Sequence, residues 1–192
     1  MTTLRVVLLL GLVLHKAVWE FMKMRDGAPH TVLKQKKPSL IKRATKAVKI
    51  AALVFLIVQT LYPKYILPIV DNPEAIQFIG LTIYLTGLAI AISARIRLGT
   101  NWSNIEDHQV MPDQQLVQTG FFRYIRHPIY LGDMLLILGL ELALNSWLFL
   151  GALAMIPYVA KQAREEEKEL EKAFPDYETY RQRTKMFIPF LF

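Results

Sequence analysis

The chain has 192 residues, 53% of them hydrophobic, with a mean hydropathy of +0.28, a balance that favours a membrane protein over a soluble domain of this length. The absence of cysteine excludes disulfides, thiolate metal ligands and a cysteine nucleophile. The net charge of +7 suits nucleic acid or anionic lipid, and lysines crowded beside apolar runs point to lipid headgroups, with no nucleic-acid partner expected.

Five apolar stretches follow in chain order, and they predict an all-α integral membrane protein with about five transmembrane helices. The first runs from Leu4 to Phe21, the second from Ile50 to Val70 and the third from Ala75 to Ile96. The second and third satisfy the ~20 residues that a spanning helix needs. In the first, His15, Lys16 and Glu20 follow a short apolar core, and Trp19-Glu20-Phe21 stands where a secretory signal would carry a small-residue cleavage site. The fourth stretch covers Ile129 to Leu144 and the fifth Trp147 to Ala160, joined only by Asn145-Ser146, so they read as a tight helical hairpin that can extend into its polar flanks. Asp133 and Glu141 lie inside the fourth stretch. Ionisable groups at membrane depth are functional candidates unless they sit near an interface.

Basic residues set the orientation. Between Lys23 and Lys49 there are nine Lys/Arg against the single acid Asp26, and the 95–127 and 161–192 segments are basic again. The positive-inside rule places these three segments in the cytoplasm and the N-terminus outside, which five crossings satisfy together. Part of the first loop, from Lys34 to Lys46, would lie against an anionic leaflet or serve simply as a topology signal. The expected organisation is one membrane domain over 1–192, with membrane helices in 1–94 and a catalytic, cofactor-binding part in 95–192. The expected location is a cell inner or plasma membrane, with the site facing the cytoplasm.

Soluble-enzyme signatures are missing. No two of the nine glycines form GxG, and there is no GxxxxGK[ST] loop and no GxSxG elbow. His15, His30, His108 and His127 form no HxxxH or HExxH pair, so no metal site is expected.

The polar residues capable of chemistry flank the hairpin. In "FFRYIRHPIYLG" (121–132), Pro128 suits the first turn of a helix, and His127 before it is biased out of the α region. A helix start offers free N–H groups and partial positive charge to an anionic group. Tyr130 adds an aromatic hydroxyl, and Gly132 permits close approach. Taken alone, the stretch is equally an interfacial anchor. The second segment, "REEEKEL", puts Arg164, Glu165, Glu166 and Glu167 directly after the fifth stretch. An acidic run beside anionic lipid needs a reason, and a cationic ligand or Arg123 and Arg126 would supply one. Because the hairpin returns both segments to the same face, one composite site is expected.

"RHPIYLG", with "EEEKEL", "FPDYETY" and Pro189 after it and "RLGTNWS" (97–103) before it, resembles isoprenylcysteine carboxyl methyltransferases and their prokaryotic relatives grouped with phospholipid methyltransferases. The resemblance covers roughly Arg95 to Phe192. It implies an integral membrane enzyme that uses S-adenosylmethionine in a cytoplasm-facing pocket lined by His127, Pro128, Tyr130, Glu166 and Glu167. Many members carry Phe-Gly before the aromatic pair, whereas this chain has Phe174-Pro175, with one residue fewer before Tyr177.

This resemblance agrees with the chemistry of the residues. Glutamates can hold an α-amino group, aromatics can stack on adenine, and arginines or helix N–H groups can take a carboxylate. Arg126 is expected to orient an anionic substrate group, with Arg164 second, and Asn101 and Trp102 either shape the entrance or pack at the interface. The expected reaction is methyl transfer to a lipophilic acceptor, first the carboxylate of an isoprenylcysteine-like molecule, otherwise a phospholipid amine or a small thiol. A sterol-type NADPH reductase and a non-enzymatic membrane accessory protein are the more distant alternatives. Oligomeric state is not legible.

Overall fold

In the computed structural model, residues 2–26, 40–62, 66–102 and 114–189 are described. The Lys34–Lys37 part of the basic loop, His30, His108 and Ser103 lie outside them, as do the side chains of Lys42 and Lys46. Among the described residues, seven α-helices follow in order: α1 (Thr3–Asp26), α2 (Leu40–Leu61), α3 (Glu74–Leu98), α4 (Pro128–Ala143), α5 (Phe149–Ala154), α6 (Ile156–Ala173) and α7 (Tyr177–Arg183). Short 3-10 turns occupy Gly99–Asn101 and Gly120–Arg123. The described residues contain no strand, only isolated bridges between Pro68 and Ser146 and between Ile125 and Lys185.

Local chemistry explains the helix limits. Glu74 opens α3, Arg95 and Arg97 close it, both favourable to the helix dipole, and Gly99 turns the chain at φ 54°. Pro128 occupies the first turn of α4 after His127 at φ −123°. α4 ends at Ala143, and two residues on Asn145 turns the chain with the left-handed φ of 55° that asparagine tolerates.

Two expected stretches have different bounds. The second helix begins at Leu40 and ends at Leu61, before Val70, because Pro63 disfavours helix in the residues ahead of it. The fifth divides at Met155, where Pro157 lacks an N–H and crowds the preceding turn, and α6 then continues into the polar tail.

Within the described residues, Glu74–Asn101 is the span long and apolar enough to cross a membrane. At 16 and 6 residues, α4 and α5 are shorter than a straight crossing of about 17–25 residues. Large apolar side chains are exposed along α1 to α3, including Leu10 at 62% and Phe78 at 72%, as a lipid-facing surface requires.

The core is an α3–α4 seam with α1 laid against it: Leu8, Leu12, Tyr84, Leu88, Leu136 and Leu140 are buried together. Tyr84 Oη donates to the Leu8 carbonyl at 2.7 Å. Two glycine pairs, each seven residues apart, allow the close approach: Gly80 and Gly87 on α3, Gly132 and Gly139 on α4. A Cβ at Gly139 would lie 2.2 Å from the Tyr84 nitrogen, and one at Gly132 would lie 2.6 Å from that of Ala91. Small residues at a helix seam replace the hydrophobic drive that lipid cannot supply.

The hairpin turn is docked on the α2–α3 connection. Asn145 Oδ1 accepts from the Ile69 and Val70 N–H groups, and its Nδ2 donates to the Val70 carbonyl. Gln59 Nε2 donates to Glu141 Oε2 at 2.7 Å. The other end of the bundle gathers the C-terminal parts of α1 and α3, the N-terminal parts of α2 and α4, and the tail of α6. The candidate site lies there.

Candidate cofactor site

Backbone pairing brings the end of the chain to the start of α4. Arg126 N–H donates to the Lys185 carbonyl at 2.8 Å, His127 N–H to that of Met186 at 3.1 Å, and Lys185 N–H to that of Tyr124 at 3.0 Å. Arg126 reinforces this pairing: its Nη1 donates to the carbonyls of Thr184 and Arg181 at 2.6 and 3.2 Å. Its Nε donates to Glu167 Oε1 at 2.6 Å.

The adjacent glutamates of α6 face different surroundings, as a turn of ~100° per residue requires. Glu167 is buried, and His127 Nε2 reaches its Oε1 at 3.0 Å. A carboxylate only accepts, so Nε2 carries the proton in this bond and Nδ1 is left towards Glu166 Oε2, 3.8 Å away. Burial pushes the Glu167 carboxyl up, but the hydrogen bonds from His127 and Arg126, with the guanidinium charge, outweigh it and hold the group below its ordinary value. The Glu166 side chain keeps 36% exposure and accepts from Tyr130 Oη at 2.5 Å. The Tyr130 ring stacks on His127 with centroids 5.2 Å apart and planes 8° from parallel.

These groups face a cavity of about 700 Å³, within the size range of small-molecule sites. His127, Pro128, Tyr130 and Glu166 line it, and Phe122, Phe174, Tyr177 and Tyr180 add aromatic wall. The opposite wall comes from α1 and α2, with Lys16, Trp19, Lys49, Ile50 and Leu53. Asp133 also lines the cavity, as do Asn101 and Trp102, over whose ring the Arg95 guanidinium lies 4.6 Å from the centroid.

The structure therefore sorts the expected residues. His127, Pro128, Tyr130 and Glu166 come together on one wall. Glu167 stands behind them as their support. Arg126 borders the cavity, but its guanidinium braces Glu167 and the C-terminal segment, which differs from the expected hold on a substrate anion. Gly132 is absent from the lining and packs on Ala91 of α3. Arg164 is exposed and also absent from the lining. Sequence reasoning missed the α1–α2 wall, which no local motif marks, and the roles of Tyr177 and Tyr180, whose i, i+3 spacing in "FPDYETY" puts both on one face.

The lining suits S-adenosylmethionine. Glu166 can take an ammonium, the aromatic rings can take adenine, and the buried Tyr177 hydroxyl has no partner among the described residues, leaving a donor for a polar ligand.

The phospholipid methyltransferase family model matches residues 75–177. The chain is 30% identical over 125 residues to protein-S-isoprenylcysteine O-methyltransferase of Schizosaccharomyces pombe, covering 64% of this chain and 51% of the relative. It is 32% identical over 114 residues to the cobalt-zinc-cadmium resistance protein CzcN of Cupriavidus metallidurans, covering 57% of this chain and 49% of that protein. It thus spans about half the length of the curated relatives it matches. The structure of a eukaryotic intramembrane Ras methyltransferase, isoprenylcysteine carboxyl methyltransferase, superimposes with a TM-score of 0.63 at 19% identity, over 100% of this chain and 69% of that one. The family match covers more than half of this sequence, and the similar fold extends over all of it: the chain belongs to the phospholipid methyltransferase family.

Proposed function

We propose that the protein transfers a methyl group from S-adenosylmethionine to a lipophilic acceptor at the membrane face where the cavity lies. The observation that carries this reading is one cavity with two unlike walls. The first has the His127–Tyr130–Glu166 cluster beside aromatic rings, and the second has Trp19, Ile50 and Leu53 on helices with apolar outer surfaces.

When bound, S-adenosylmethionine would supply a methyl carbon on a positively charged sulfur, whose C–S bond breaks with its electron pair kept on sulfur as an acceptor lone pair forms the new bond. The chain's own groups do the holding. Glu166, oriented by Tyr130, takes the ammonium, and Pro128 at the start of α4 leaves nearby helix N–H groups for a carboxylate. Phe122, Phe174, Tyr177 and Tyr180 exclude water, so positioning and desolvation carry most of the catalysis. The acceptor is the carboxylate of an isoprenylcysteine-like molecule, a reading supported by the fission-yeast relative's name as an isoprenylcysteine O-methyltransferase and by the similar solved structure's name as an isoprenylcysteine carboxyl methyltransferase. A carboxylate attacks without a general base, and Lys16 and Lys49 put positive charge in the acceptor half. The distribution of basic residues supports an integral protein of the plasma or inner membrane with the cavity on the cytoplasmic side.

Calorimetric titration of the detergent-purified protein tests the cofactor. Adenosylhomocysteine should bind and NADPH should not, whereas binding of NADPH alone would indicate a reductase. Radiolabelled methyl transfer in host membrane extract tests the acceptor. Base-labile label is expected for an ester, and base-stable label would reassign the acceptor to an amine or thiol.

A further inference from the structure

Asp133 and Glu166 are the cavity-lining acids with a carboxylate oxygen that has no partner among the described residues, and Asp133 is the one at the junction of the two walls. Glu20 is paired with Lys16 at 2.5 Å and Lys23 at 3.9 Å. Glu166 accepts from Tyr130 at 2.5 Å. Asp133 has His15 of α1 on Oδ1 at 2.9 Å, and its Oδ2 has no partner among the described residues. The side chain keeps 41% exposure, and the exposed part borders the cavity. His15 is itself fixed by stacking on Trp19, with centroids 4.1 Å apart. Asp133 thus lies one helical turn beyond Tyr130 on α4, where the cofactor wall meets the α1–α2 wall. The transferred methyl must cross that junction.

A carboxylate held this far along an apolar helix is costly unless a cation answers it. Methyl transfer changes the charge of the cofactor itself, because the donor's sulfonium becomes a neutral thioether while the acceptor carboxylate becomes a neutral ester. We infer that Asp133, held in place by His15, distinguishes the cationic methyl donor from its neutral demethylated product. It favours entry of the donor and release of the product. This assignment rests on the proposed S-adenosylmethionine site. It makes Asp133 a specificity-determining residue and His15 a positioning residue.

The test is equilibrium binding of S-adenosylmethionine and adenosylhomocysteine to the purified protein and its variants. Asp133→Asn should weaken binding of the donor by about tenfold, the loss of one charge-assisted contact, and that of the product by less than about twofold. Asp133→Glu, which keeps the charge, should retain the donor-to-product preference. His15→Asn should reduce it by about threefold, since a carboxylate free to turn makes a weaker contact. A monodisperse species in detergent with wild-type melting behaviour reports that each variant is folded. If Asp133→Asn does not fold, the preference in His15→Asn decides, and an unchanged preference there overturns the inference. Equal loss of both ligands in Asp133→Asn also overturns it, as does an unchanged preference with a raised KM for the acceptor. A wild-type protein that binds neither ligand would remove the methyl-donor site itself, and this inference with it.

Discussion

Two polar clusters lie at opposite ends of α4. At the C-terminal end, Glu141 is 2% exposed and its Oε2 accepts from Gln59, while Asn145, at 7%, holds Ile69 and Val70. At the N-terminal end, the side chains of Glu166 and Asp133 keep 36% and 41% exposure and border a cavity. Both ends carry a carboxylate that sequence alone marks as costly at membrane depth. The one end is closed by its own chain and fastens the hairpin turn to the α2–α3 connection. The other leaves acceptor capacity facing space. Burial of an ionisable group therefore does not identify a site; a polar atom that the fold leaves unanswered beside a cavity does.

The largest expected effect comes from the seam that joins the two ends. Gly139→Leu would push a side chain into the Tyr84 backbone, where even a Cβ has 2.2 Å. The expected outcome is loss of folded protein, read as loss of the monodisperse species in detergent, because overpacking here separates the helices. Recovery of a normal folded species would show that the seam can open.

Glu167→Ala comes next, with a loss of about 3–5 kcal/mol, because Arg126 and His127 would be left buried without their shared carboxylate. Thermal unfolding measures it. The same residue gives an acid limit. Its folded-state pKa lies below the ordinary value, so its stabilisation is complete above about 4.3 and is lost as pH falls through the lowered folded value. Wild-type melting temperature should decline in that acid window, and Glu167→Gln should decline less there. Equal slopes would separate Glu167 from the acid limit.

Glu141→Ala tests the closed end. It leaves Gln59 Nε2 without its 2.7 Å acceptor, for a loss of about 1–3 kcal/mol, and should leave adenosylhomocysteine affinity unchanged. A fall in that affinity would show that the two ends are coupled through α4.

How far these distinctions were legible follows from the reach of each pattern. Pro128 after His127 marks a helix start locally, and the Asn145-Ser146 hairpin brings residues 121–132 and 161–173 to one end, so the composite arrangement was readable before any coordinate. The glycine seam was present as two seven-residue spacings, and Gly132 was legible as a point of close approach, but spacing alone does not show which partner helix the glycines meet. Gly132 and Arg164 lie off the cavity wall, Gly132 taken up by the seam against Ala91 and Arg164 exposed on α6, and neither placement has a local sequence signal. Lys16, Trp19, Lys49 and Leu53 had no local signal, because their facing the cavity depends on how α1 and α2 lie against α4 and α6.

Tyr130→Phe has the smallest expected effect on stability and separates the two ends most sharply. The ring, which stacks on His127, is kept, and only the hydroxyl that donates to Glu166 at 2.5 Å is removed. Glu166 is partly exposed, so water can replace the lost donor at a cost of about 1 kcal/mol or less. What disappears is the restraint that orients the carboxylate towards the cavity. The melting temperature should therefore stay within a few degrees of wild type, while adenosylhomocysteine affinity falls about tenfold through lost preorganisation. Glu141→Ala and Tyr130→Phe should then move stability and ligand affinity in opposite proportion. A Tyr130→Phe protein that binds normally but melts early would place Tyr130 with the fastening residues of the closed end.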